Sequence, residues 1–133
     1  MSLNIELIQA DITASAKMIE EYKNNKYKSA KNISAYHLQQ AAEKLIKIQI
    51  YKNAKPNAQL KLYTHNISAL IKQAQVNDIM LYIPSYVRKN AMTITTWEAS
   101  SRYDFDFSVR IDTLEKAHNE ISLWYDYIKT FIK

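Results

Sequence analysis

The chain has 133 residues, a formal net charge of +5, and neither cysteine nor glycine. That length fits one domain, burying roughly two-thirds of its unfolded surface without a disulfide or metal to staple it. The missing cysteine excludes disulfides, thiolate zinc sites and cysteine nucleophiles and fits a reducing, cytoplasmic compartment. The missing glycine excludes Walker loops and dinucleotide fingerprints, whose backbone must approach phosphate closely. Any nucleotide would have to be held by side chains or helix N-termini.

The first element in chain order is an amphipathic helix over 3–24, because Ile5, Ile8, Ile12, Ala16 and Ile19 recur at three- and four-residue spacing. The N-terminus has no basic region followed by an apolar run. No stretch approaches the roughly 18 apolar residues of a membrane span, so no membrane association is expected. Asn24 and Asn25 end the helix, and a basic connector from Lys26 to Lys31 leads to a second helix over about 32–53. Leu38, Ala41, Ala42, Leu45 and Ile48 face inward there, and Pro56 and Asn57 break the pattern.

A shorter third helix is expected from Thr64, its N-cap, to Asn77 and Asp78, with Ile67, Leu70, Ile71 and Ala74 on one face. Pro84 suits the first turn of a fourth helix that carries Tyr86 or Val87, Ala91, Ile94 and Trp97 inward as far as about residue 100. Ser100 and Ser101 then open a loop. The last helix begins near Ser108 and is the clearest, with a seam of Leu114, Ala117, Ile121, Trp124, Ile128 and Phe131. With no glycine for left-handed turn positions, the ten asparagines are their expected occupants. Long helices with short joints predict an all-α fold, an antiparallel up-and-down four-helix bundle with one extra short helix.

Charge is unevenly spread. Residues 17–61 hold ten lysines against Glu20, Glu21 and Glu43, a net +7, whereas 62–133 balance eight basic with eight acidic side chains. The excess on the first hairpin can attract nucleic acid, nucleotides or an acidic partner, or form a solvated surface. On the second helix His37, Gln40, Lys44, Lys47 and Tyr51 step by three and four along the rim of the apolar face. That row can contact phosphate, ribose or base, or hydrogen-bond between helices. His65 follows Thr64 and can anchor a loop, and His118 flanks the last seam. Arg102 and Tyr103 open the loop before the last helix, where Arg102 can pair with Glu98 or receive a phosphate. Asp104 and Asp106 alternate in that loop as a weak magnesium pattern. Three scattered histidines make no zinc motif, and neither a metal nor a cofactor is implied.

The segments Ser-Ala-Tyr-His-Leu-Gln-Gln-Ala-Ala-Glu-Lys-Leu-Ile-Lys at 34–47 and Thr-His-Asn-Ile-Ser-Ala-Leu-Ile at 64–71, with Arg102-Tyr103 where an Arg-Tyr-Pro is common, resemble the HEPN family. The carriers are His37, Gln40, Ala42, Glu43, Lys44 and Lys47, then Thr64, His65 and Leu70, then Arg102 and Tyr103. The resemblance implies an antiparallel helical bundle, frequent homodimers, and association with nucleotides or RNA. It also implies a minimal nucleotidyltransferase as partner in a two-component module resembling toxin and antitoxin. Active ribonucleases of that superfamily carry an arginine, four to six residues, then a histidine. Here Arg110 and His118 are separated by seven, and one extra helical residue turns a side chain by about 100°. The expectation is a non-catalytic binding module. A ribonuclease with displaced groups (His37 or His118 with Arg102 or Arg110) and a purely structural oligomeriser are the alternatives.

Overall fold

The computed structural model describes residues 5–103 and 106–132. Among these it holds six helices and no strand: α1 (Ile5–Asn25), α2 (Lys28–Asn53), α3 (Ile67–Val76), α4 (Ser85–Lys89), α5 (Ala91–Tyr103) and α6 (Ile111–Lys129). The all-α bundle expected from the periodicity is the fold, with α3 as the short additional helix. Leu3 and Asn4 of the expected first helix, and Asp104 and Phe105 of the expected loop, lie outside the described residues. No described helix is long and apolar enough to cross a membrane.

The bundle is organised around α2, which packs against α1, α3, α5 and α6. Its expected inward set, Leu38, Ala41, Ala42, Leu45 and Ile48, is buried, and so are Ala35, Ile46 and Ile50 on other sides of the same helix. A helix enclosed from several directions loses its amphipathic signature, and any polar residue on it must find a partner inside. In α1 the buried stripe is Ile8, Ile12 and Ile19, but Ser15 takes the interior place expected of Ala16. The Ser15 and Ser34 hydroxyls share a 2.8 Å hydrogen bond across the α1/α2 contact, and Ser34 also donates to the Ser15 carbonyl at 3.1 Å. The seam of α6 is buried from Leu114 to Ile128, whereas Phe131 lies past the helix end and is exposed.

Four joints differ from expectation, each for a local reason. Lysine is a good helix former, so the basic run joins α2 at Lys28 and leaves only Lys26 and Tyr27 between the first two helices. Asn66 rather than Thr64 caps α3: its side chain accepts from Ala69 N at 3.0 Å, while the Thr64 hydroxyl accepts from Asn66 N at 3.1 Å. Asn90 splits the expected fourth helix, because its side-chain amide donates to the Tyr86 carbonyl at 2.8 Å and competes with the helical ladder. Helix α5 then continues through Ser100 and Ser101 to Tyr103, so Arg102 is helical rather than in a loop. The last helix starts at Ile111, later than Ser108, with Arg110 at its N-cap.

The left-handed positions are also not asparagines. Lys26 has φ 60° and Asp78 φ 56°. At the end of α1, Lys26 N bonds the Tyr22 carbonyl at 2.8 Å, the single-bond left-handed cap. After α3, Asp78 N bonds Gln75 O at 3.2 Å and Ile79 N bonds Ala74 O at 2.8 Å, a Schellman motif whose Ile79 and Ala74 side chains are both buried. The extended segment that follows is held by Gln49 of α2. Its side chain accepts from Tyr82 N at 2.9 Å and donates to Tyr82 O at 3.1 Å, and Trp124 Nε1 donates to the same oxygen at 2.9 Å.

Two outcomes follow for stability. Asp78→Gly and Lys26→Gly each relieve a left-handed Cβ clash and raise stability by about 0.5–1 kcal/mol, read as higher midpoints in thermal unfolding. Gln49→Leu leaves the Tyr82 N–H without its partner and the Tyr82 carbonyl with Trp124 alone, and lowers urea stability by about 1–3 kcal/mol. Unchanged midpoints would contradict these readings of the caps and of the Gln49 clamp.

Candidate functional site

The rim residues of α2 belong to a network of two ion-pair clusters, one shared with α1 and the other with the segment before α3 and with α5. From α1 comes Asp11, buried at 7% exposure. It accepts from His37 Nδ1 at 2.8 Å and from Lys44 Nζ at 2.5 Å. His37 and Lys44 are seven residues apart, two turns of α2, so both point to the same acid on the facing helix. Further round α2, Gln39, Glu43 and Lys47 form a ladder at four-residue spacing. Glu43 receives Gln39 at 3.1 Å on Oε1 and Lys47 at 2.8 Å on Oε2. Gln40 is half-buried and donates to Gln39 Oε1 at 2.7 Å.

His65 closes the link to α5. Its carbonyl accepts from Gln39 at 2.9 Å, its Nδ1 lies 2.8 Å from Glu43 Oε1, and its Nε2 lies 3.7 Å from Glu98 Oε1. The residue stays put because Thr64 and Asn66 fix the backbone on either side and Thr95 of α5 accepts from Ile67 N at 3.0 Å. Glu98, buried at 8%, pairs with Arg102 one turn along α5, and Arg102 Nε also donates to the Glu98 carbonyl at 3.2 Å. The pairing of Arg102 with Glu98 is one of the two alternatives that the spacing allows.

Three carboxylates, Asp11, Glu43 and Glu98, thus face three fixed cations, Lys44, Lys47 and Arg102, with two imidazoles between them. The compensation is uneven in depth. The side chains of Lys44 and Lys47 are only 21% and 11% exposed, whereas Arg102 is 44% and His65 58% exposed. The Arg102 guanidinium lies 4.9 Å from the Tyr103 ring centroid and 5.6 Å from that of Tyr36, and Tyr36 meets His37 edge-on at 5.4 Å. His37 is held through Nδ1, and no other described residue bonds its Nε2, which leaves that nitrogen for a second contact.

Seven of the eight residues expected from the sequence are therefore gathered on one side of the bundle: His37, Gln40, Lys44, Lys47, His65, Arg102 and Tyr103. Tyr51, the eighth, stands apart, half-buried against the core, where burial and then the neighbouring Tyr63 phenol push its pKa up. His118 has its Nε2 buried with no partner among the described residues, beside a hollow of about 160 Å³. Arg110 pairs with Asp112 on the surface at 3.0 Å, and eight residues of helix set it about 12 Å along the axis from His118. Among the described residues no group of three or more His, Asp or Glu side chains is arranged to hold a metal ion.

A family model described as HEPN domain matches residues 12–129. The chain belongs to the HEPN family. No curated protein and no solved structure matches it. The match runs from the first turn after Asp11 to the end of α6, so this HEPN domain includes every member of the network except that first acid. Asp11 and Gln39 escaped the sequence reading as partners of the row on α2. The signal for Gln39 was present in the ladder it forms with Glu43 and Lys47. Asp11 carried no comparable mark, being a lone acid beside an apolar stripe.

Glu43 sets the pH response of the network. Burial alone would raise its carboxyl, but hydrogen bonds from Lys47, His65 and Gln39 outweigh burial and hold it below its ordinary 4.5. A carboxylate held low in the folded state adds stability that is complete above its unfolded pKa of 4.5 and is lost as pH falls through the lower folded value. Glu43→Gln costs about 3 kcal/mol at neutral pH by leaving Lys47 buried without its carboxylate, and it flattens the acid limb of the profile. Urea midpoints measured from neutral pH to well below 4.5 check this; an acid limb as steep in the variant as in the wild type would contradict it.

Proposed function

We propose that the protein is a non-catalytic, nucleotide- or RNA-binding HEPN module. In this reading it works in the cytoplasm as a homodimer, with a nucleotidyltransferase partner, in a two-component system of toxin–antitoxin type. One observation carries the ligand assignment: Arg102 is held from behind by buried Glu98 and flanked by the Tyr36 and Tyr103 rings, with His65 at the same carboxylate. An accessible planar cation among aromatic faces suits a phosphate beside a stacked base. His37 extends the surface through its free Nε2. Gln40, Lys44 and Lys47 position these groups, since their polar atoms are committed to Asp11, Gln39 and Glu43.

The test is titration with nucleotides and short single-stranded RNAs. Arg102→Ala and Tyr103→Ala each weaken binding by about tenfold, in line with roughly 1–3 kcal/mol per stacked base. Arg102→Lys, which keeps the charge but not the planar fork, restores little. Tyr103 is exposed and pairs with no buried acid, so its variant keeps full stability, whereas Arg102→Ala unpairs buried Glu98 and Lys44→Ala and Lys47→Ala unpair Asp11 and Glu43, each losing stability as well as binding. Binding that is absent, or indifferent to Arg102 and Tyr103, would sink the assignment. Co-purification with the nucleotidyltransferase encoded next to it, where one exists, tests the partner.

A ribonuclease is the second reading, favoured by one feature: Asp11 orients His37 and leaves its Nε2 free, as an acid–base imidazole requires. His118 fits that role less well with its Nε2 enclosed. Cleavage of structured RNA in EDTA that disappears in His37→Ala would establish this reading in place of the first.

A further inference from the structure

A second recess lies at the C-terminal end of α2. Gln49, on its wall, follows Lys47 by two residues and so stands about 200° round the helix from it. The recess is a half-open hollow of about 630 Å³ bounded by Gln49, Lys52, Tyr82, Tyr127, Ile128 and Phe131. That volume falls within the roughly 300–1,000 Å³ of small-molecule sites.

Its wall is aromatic and already assembled. The Tyr82 and Tyr127 rings lie 4.3 Å apart, and Phe131 meets Tyr127 edge-on at 4.8 Å and 72°, so each ring limits the rotation of the next. All three remain exposed. The base is buried Ile128 and the peptide of Tyr82, whose N–H and carbonyl are already taken by Gln49 and Trp124. The interior thus offers apolar and aromatic contact, with the Tyr82 backbone already spent.

Charge supplies the remaining specificity. Among the described residues no acidic side chain lines the hollow. Lys129 nearby is engaged by Asp126 at 3.3 Å and by the Tyr125 ring at 4.7 Å. Lys52 has no ion pair or hydrogen bond to any described residue and stands on the rim with its ammonium available. We infer that this hollow is a binding site for a small aromatic monoanion, its rings packed against Tyr82, Tyr127 and Phe131 and its acid group on Lys52. The inference is independent of the Arg102 platform, because no residue is shared between them.

Fluorescence titration with anilinonaphthalene sulfonate tests it, with N-phenylnaphthylamine as the probe lacking the acid group. The expected result is saturable one-to-one binding of the sulfonate, weakened about threefold to fivefold by Lys52→Ala, as befits a partly exposed ion pair. Phe131→Ala weakens both probes, whereas Lys52→Ala leaves the uncharged one unaffected and Arg102→Ala changes neither. Lys52 and Phe131 are exposed, so circular dichroism should report wild-type folding for both variants. No saturable binding, binding indifferent to both substitutions, or equal loss of the two probes in Lys52→Ala would each overturn the proposal.

Discussion

The structure depends on neutralising charge along a helix that has too little solvent around it. Helix α2 is enclosed by four neighbours, yet it carries Gln39, Glu43, Lys47 and Gln49 in the interior. Each would be costly there alone, and each is matched by a partner. Glu43 is tied to Lys47 within the helix and to His65 outside it, and Gln49 is spent on the backbone of Tyr82. The polar contents of α2 therefore determine where its neighbours sit. Asp11 registers α1 against His37 and Lys44, and Glu98 registers α5 through His65.

This arrangement changes the meaning of the basic first hairpin. A net +7 over residues 17–61 suggests a cationic face, but the two lysines on the α2 rim are answered by Asp11 and Glu43. At the network itself what remains reachable is one guanidinium with aromatic company and two imidazoles, whereas Lys17, Lys28, Lys55 and Lys61 stand exposed elsewhere on this stretch with no ion pair to a described residue. The network thus offers shape and stacking, while the exposed lysines around it supply the long-range attraction that uncompensated cations give. The hollow beside Lys52 has the opposite character, one unanswered ammonium above an aromatic wall.

Much of this was legible in the sequence because helical periodicity reports one-sided burial. The α6 seam from Leu114 to Ile128 and the α3 face of Ile67, Leu70 and Ala74 were read directly. So was the row of His37, Gln40, Lys44 and Lys47. What escaped lies between elements. Asp11 is 26 residues from His37 and 33 from Lys44, so no local spacing links them. The Asn90 break turns on a side-chain amide competing for a single carbonyl. Lys26 and Asp78 hold left-handed conformations through cap hydrogen bonds, which override the residue preference that pointed to asparagine. Tyr51 kept the helical step but passed beyond the neighbours that complete the network.

The two-residue joint between α1 and α2 has a bearing on how the protein comes to be folded. Its partners are close in sequence, so the pair can zip together soon after residue 53 is available, with little loop-closure entropy to overcome. Glu98 and Arg102 arrive some 45 residues later. Lys47 meets Glu43 within α2, but His65 must then wait for Glu98 before its second contact is made. Assembly of the recognition surface thus coincides with completion of the globule, and a truncated or half-made chain would display the hairpin without its binding face.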